Sequence, residues 1–185
     1  YAYPAKFPLD VLEVMKNKSN ICHYLDIPVQ HISDKMLKLM KRGNTAKQTY
    51  DLIDRIKSKI PDIALRTTIL VGHPGETDED FNELLDFVKY AKFDRLGVFA
   101  YSQEEGTPAY DLGDPIKERE KNKRIEEIML IQEEISLELN QAKVGSVMKV
   151  IIDMIWIGYT TTSVPLFYTM NFLAGMFGAA ALGAA

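Results

Sequence analysis

Apolar and polar positions along this chain repeat one grammar three times. A short apolar or β-branched run is followed by a Gly, Pro or polar turn, and then by an amphipathic helical stretch. The first instance is HYLDIPVQHIS, His23 to Ser33, followed by helical periodicity over Asp34 to Lys41 and, after Gly43, over Thr45 to Ile60. The second is Ala64 to Ala91, ALRTTILVGHPGETDEDFNELLDFVKYA. The third is DRLGVFAYSQEEGTPAYDLGDP, Asp94 to Pro115, with a helix from about Ile116 to Gln141. The opening YAYP reads as the tail of an earlier strand, with PLDVLEVMKN as its helix. Strand, turn and helix recurring at a spacing of roughly 30–40 residues predict βα units around a parallel sheet. Ala64 to Val71 and Leu96 to Tyr101 barely alternate, which predicts strands buried on both faces.

Local signals agree. Thr77 opens TDED, a capping box with Asp80 at the acidic N3 position. Phe81, Leu84, Leu85 and Val88 then follow at helical spacing. Gly43 stands where a helix C-cap belongs. In the last helix Ile125, Ile128, Ile135 and Leu139 form one stripe among Glu and Lys residues. About four βα units are visible, and a closed eight-stranded barrel needs about 250 residues. With 185 residues the chain is expected to hold half of a barrel or a small open sheet.

The tail breaks the pattern. Met154 to Ala185 contains no Asp, Glu, Lys, Arg or His. Val164 to Ala185 approaches the roughly 20 residues of a membrane span, but Pro165, Asn171 and repeated Gly interrupt it and no basic flank orients it. No membrane association is expected. Val147 to Ile152 looks like a strand opening a small β domain.

Composition changes the picture little. A net charge of −4 gives no global basic field for nucleic acid, and the basic run Lys35 to Arg42 reads as a solvated helix face. The single cysteine, Cys22, cannot form an internal disulfide or hold a metal cluster by itself, and is expected to be a buried structural thiol. The first residue is Tyr rather than Met, so a longer parent chain is expected. The first residues do not read as a basic-then-apolar leader, and a cytoplasmic location is expected.

Ligands in parallel βα architectures bind at the C-terminal ends of strands. That rule selects three clusters. In Pro28 to Ser33, Gln30 and His31 suit ribose hydroxyls or a carboxylate, or else form a turn with Ser33 or Asp34 as helix cap. In Gly72 to Thr77, two glycines allow close backbone approach before a helix N-terminus, but match neither a dinucleotide fingerprint nor a P-loop. Arg66, in the preceding strand, is either half of a structural ion pair or a clamp for a ligand carboxylate. In Phe99 to Tyr110, Phe99 and Tyr101 could face a flat ring or pack in the core, and Glu104 and Glu105 read as exposed loop charges. No Ser/His/Asp triad, HExxH or CxxC is present.

Four blocks carry a resemblance: YAYPAKFPLDVLEVM, ICHYLDIPVQHISDKMLKLMKRG, LRTTILVGHPGETDEDFNELLDFV and FDRLGVFAYSQEEGTPAY. In this order they resemble the radical-SAM methylthiotransferases, over roughly Tyr1 to Asp153. Gln30-His31-Ile32-Ser33 and Ser102 to Thr107 are closer to the branch acting on a ribosomal protein than to the transfer-RNA branch. The resemblance implies an α/β fold: the C-terminal half of a radical-SAM partial TIM-like barrel (1–114), a helical connector (115–145) and a TRAM-like β domain (146–185). It implies S-adenosylmethionine and two 4Fe–4S clusters as cofactors, and a 5′-deoxyadenosyl radical as the hydrogen-abstracting species. It implies a methylthio group added to an aspartate of a small-subunit ribosomal protein, free or on the ribosome, and an electron donor as second partner. By position in that barrel, Gln30, His31, Ser33, Arg66, Thr68, Gly72 and Phe99 are the expected cofactor contacts.

Two departures stand beside it. The family's cluster cysteines, in Cys-x3-Cys-x2-Cys spacing and in a further N-terminal domain, are absent, and Cys22 matches neither set. These residues alone are therefore expected to be inert, which keeps a non-enzymatic βα module in view. The tail keeps only Gly158, Thr160, Ser163 and Pro165 of the family's TRAM stretch, as a shifted reading frame would leave it.

Overall fold

The structure is a computed structural model and describes residues 2–147. Three parallel strands, β1 (Tyr24–Asp26), β2 (Ala64–Val71) and β3 (Arg95–Ala100), pair in the order β1-β2-β3. Arg66 lies opposite both Asp26 and Arg95, and Leu70 opposite Phe99. Helices α1 (Asp10–Asn17), α2 (Asp34–Leu39), α3 (Ala46–Lys59), α4 (Asp78–Ala91) and α5 (Glu118–Gln141) complete the chain order. Residues Tyr1–Val144, α5 included, form one compact unit. The expected β domain beyond Val147, including its opening strand and the apolar tail, lies outside the described residues. Among the described residues no helix is long and apolar enough to cross a membrane.

The core follows from the helical periodicities. Ile53 and Ile56 of α3, Phe81, Leu84, Phe87 and Val88 of α4, and Ile128 and Ile135 of α5 pack with Leu65, Ile69 and Val71 of β2. Phe87 meets Tyr50 and Phe93 edge-on, with centroids 5.0 and 5.8 Å away. Both predicted helix starts carry full capping boxes, Thr45 with Gln48 and Thr77 with Asp80.

Four expectations are corrected. β2 alternates: Leu65, Thr67, Ile69 and Val71 are buried, while Ala64, Arg66, Thr68 and Leu70 are only partly covered. Helices cover one face of the sheet, and the apolar Ala64 and Leu70 on the other face had masked the period of two. The tail YAYP forms no strand among the described residues. Ala2 donates one backbone bond to Asp26 O (2.8 Å), and Pro4–Lys6 turns into a 3-10 helix. The left-handed residue after α2 is Lys41 (φ 53°), not Gly43, whose N–H instead donates to the Tyr3 hydroxyl at 3.0 Å. Cys22 is exposed, because it lies in the loop before β1 rather than under a helix.

Candidate functional site

Beyond Asp26 the first strand keeps its register on β2 by an unusual route. Pro28 has no N–H to give. The Thr67 hydroxyl fills the gap, donating to Ile27 O at 2.9 Å and accepting from Val29 N at 3.3 Å. Gln30 then rejoins the ladder: its N–H donates to Thr68 O and its carbonyl accepts from Leu70 N, each at 2.9 Å. At that point Gln30 takes a left-handed backbone, φ 68°, which costs a non-glycine residue roughly 1–2 kcal/mol. The chain turns out of the sheet there.

A cleft of about 330 Å³ opens at this C-terminal edge. Gln30, Leu70, His73 and Tyr101 line it from the three strand ends, Met40 to Arg42 from one side and Thr107 to Ala109 from the other. The volume is within the ordinary range for small-molecule sites. Tyr101 meets His73 edge-on (5.1 Å) and donates its hydroxyl to Ala109 O at 3.1 Å, which holds the far wall. The uncovered face of the sheet carries Arg66, Thr68, Gly97 and Phe99. Phe99 is 59% exposed, and a Cβ on Gly97 would lie 3.5 Å from its ring. Arg66 takes the ion-pair alternative, donating to Asp26 Oδ2 at 2.7 Å.

Behind the cleft, on the helix side, lies a second and buried cluster. His31 is 0% exposed; its Nδ1 accepts from the N–H groups of Ile32 (2.9 Å) and Ser33 (3.1 Å). Ser33 caps α2 and donates its hydroxyl to Asp80 Oδ1 at 2.6 Å. Burial pushes the Asp80 carboxyl up, but hydrogen bonds from Lys35, Ser33 and Thr77 overcome that and hold it well below the usual carboxylate range. Glu76, also buried, accepts from Gly72 N–H and faces Arg124 Nη1 at 3.3 Å. Arg124 also pairs with Asp78 (2.9 Å) and Glu120 (3.3 Å) and lies over the Phe81 ring. Lys121, 0% exposed, donates to Tyr101 O (2.7 Å), Asp114 (2.6 Å) and Glu118 (2.8 Å). Burial lowers its pKa, and the two carboxylates more than reverse this, so the net shift is upward. Gly72, at φ 76°, must be glycine: a Cβ there would stand 2.5 Å from Lys121 Cγ.

The expected contacts thus divide. Gln30 lines the cleft; Arg66, Thr68 and Phe99 lie on the open face; His31, Ser33 and Gly72 belong to the buried cluster. The sequence placed Glu76 in the Gly72 to Thr77 cluster but gave it no role of its own, and Lys121 and Arg124 were passed over. Their signal was present: Lys121 and Arg124 continue the apolar stripe of α5 toward its N-terminus, where a cation requires buried partners. Among the described residues no group of three or more His, Cys, Asp or Glu could hold a metal ion. Cys22 precedes β1, at the opposite end of the sheet from the cleft.

Comparisons with known proteins give a consistent picture. Residues 4–88 match the family model of the Radical SAM superfamily. The ribosomal protein uS12 methylthiotransferase RimO of Chloroherpeton thalassium is 56% identical over 153 residues, covering 83% of this chain and 35% of the relative. Its counterpart in Bacteroides thetaiotaomicron is 55% identical over 156 residues, covering 84% and 36%. The chain therefore spans about a third of the length of these curated relatives. Among solved structures, the radical SAM enzyme coproporphyrinogen III oxidase (HemN) of Escherichia coli superposes with a TM-score of 0.50 at 23% identity, over 76% of this chain and 31% of that one. Elp3 from the archaeon Methanocaldococcus infernus superposes at 0.51 with 17% identity, over 70% and 30%. Both show likeness of fold.

Proposed function

The chain belongs to the radical SAM superfamily, and from that premise we propose that it is the part of a ribosomal protein methylthiotransferase that holds one side of the S-adenosylmethionine site. The observation that carries the reading is the strand-end cleft, opened by the left-handed turn at Gln30, within a stretch 56% identical to a uS12 methylthiotransferase.

The residues present fit the cofactor. The cleft is open, of suitable volume, and continuous in register with an uncovered sheet face. Gln30 supplies amide donors and an acceptor at its wall, Thr68 a hydroxyl, and Phe99 an exposed ring for a flat base. Bound S-adenosylmethionine supplies the hydrogen-abstracting radical chemistry of the superfamily. The protein's part is to orient it and keep water away. The residues present do not fit an iron–sulfur cluster: the one cysteine is exposed at the wrong end of the sheet. In this reading the 4Fe–4S ligands lie outside these 185 residues. Residues 1–114 are then part of a partial barrel whose inner face is the open face described here, and 115–145 a helical connector; the TRAM-like β domain expected over 146–185 lies, beyond Val147, outside the described residues.

The substrate is an aspartate of ribosomal protein uS12, with an electron donor as second partner, in the cytoplasm. The test uses the full-length protein, reconstituted anaerobically with S-adenosylmethionine, a reductant, uS12 and transfer RNA. A methylthio group on uS12, located by peptide mass spectrometry, is expected. Modification of the transfer RNA instead would overturn the substrate assignment.

A further inference from the structure

The left-handed backbone at Gln30 needs something to hold it. On one side β2 does so, through Thr68 O and Leu70 N. On the other side the chain must leave the sheet within two residues, and the N–H groups of Ile32 and Ser33 enter the interior with no backbone acceptor. The His31 ring takes both on Nδ1. An unpaired buried N–H costs about as much as a lost hydrogen bond, so this ring is what permits the turn. With Nδ1 accepting twice, the ring proton is assigned to Nε2, which points toward Glu76 Oε1 at 3.8 Å. Glu76 is in turn held by Gly72 N–H and Arg124. The His31–Glu76 separation is beyond hydrogen-bond reach, so the two bonds to Nδ1 are what hold the turn after β1, while Glu76 holds the turn after β2.

A side chain with 0% exposure cannot touch a ligand in the cleft. We propose that His31 is a positioning residue that, through the two backbone N–H groups held on its Nδ1, sets the left-handed turn at Gln30 and so aims the Gln30 side chain into the cleft. This replaces direct cofactor contact by His31, and it rests on the cleft reading above.

The test is a double-mutant cycle on the full-length protein, reading S-adenosylmethionine affinity by calorimetry. Gln30→Ala and His31→Ala are each expected to weaken binding about tenfold, the size of one lost hydrogen bond to a charged ligand. The double variant should be no weaker than either by more than about twofold, the scatter of independent sites. Additive losses, or unchanged affinity in His31→Ala alone, would overturn the positioning role. Unchanged affinity in Gln30→Ala would overturn the cleft reading itself, and the positioning role with it. Where His31→Ala does not fold, two conservative variants decide. His31→Asn places an acceptor near the Nδ1 position and should restore most of the affinity, whereas His31→Gln should not. The reverse order would overturn the inference.

Discussion

The two sides of one sheet edge are built on opposite principles. On the cleft side, Gln30, Thr68 and Phe99 are partly or largely exposed. On the helix side, His31, Glu76, Lys121 and Arg124 are all buried and tied to one another or to backbone. The open side has groups to offer a ligand, and the closed side spends its groups on holding the loops still. Polarity at a strand end therefore does not identify a ligand contact. What identifies one is whether the polar group has already been claimed by the fold.

Substitutions should separate the two sides, and the largest effect is expected at Arg124. Arg124→Met leaves the buried Glu76 carboxylate without its cation. Breaking a buried pair from one side costs about 3–5 kcal/mol, so a large fall in denaturant midpoint is expected in urea titrations of the full-length protein. Recovery of most of that loss in Arg124→Met combined with Glu76→Gln would confirm that the stranded charge is the cause. Next is Gly72→Ala, which meets both the positive φ and the Lys121 stem. A loss of about 1–3 kcal/mol is expected, with Gly97→Ala, whose Cβ finds ordinary contact, as the milder comparison in the same titration.

Asp80 gives a pH dependence. Its folded pKa is depressed below the ordinary 3.8, so its contribution is complete above that value and is lost as pH falls toward the folded one. Acid titration of the full-length protein should show the wild type losing stability progressively below about pH 4, and Asp80→Asn losing less over the same window. Equal slopes would mean that Lys35 and Ser33 do not hold the charged form. The smallest effect on folding is expected at Phe99, the most exposed of these residues. Phe99→Ala should change stability by no more than about 0.5 kcal/mol while weakening S-adenosylmethionine binding. A large drop in stability with unchanged affinity would erase the distinction between the two sides.

Much of the frame was legible in the sequence because its signals are local. Ala64–Val71 matches its predicted strand end for end, and the Thr77–Asp80 capping box marks the start of α4 correctly. Thr45, likewise, begins α3 with Gln48 as its partner. What could not be read depends on distant residues. His31 and Ser33 look like ligand groups until Glu76 and Asp80, more than forty positions on, are seen to face them. Arg66 looked equally suited to a carboxylate ligand until the parallel register set Asp26 beside it. The alternation of β2 was hidden because Ala64 and Leu70 are apolar yet lie on the uncovered face. Lys121 and Arg124 have meaning only once α5 is docked against the Gly72 turn.

In the proposed function S-adenosylmethionine lies on the open side of this sheet edge. A crystal structure of the full-length protein with the cofactor decides whether it does. The cofactor is expected in the cleft, with Gln30 and Thr68 in hydrogen-bond reach, Phe99 against the base, and His31 still buried with Nδ1 on the Ile32 and Ser33 amides. A cofactor bound elsewhere, or one contacting the His31 ring, would contradict it.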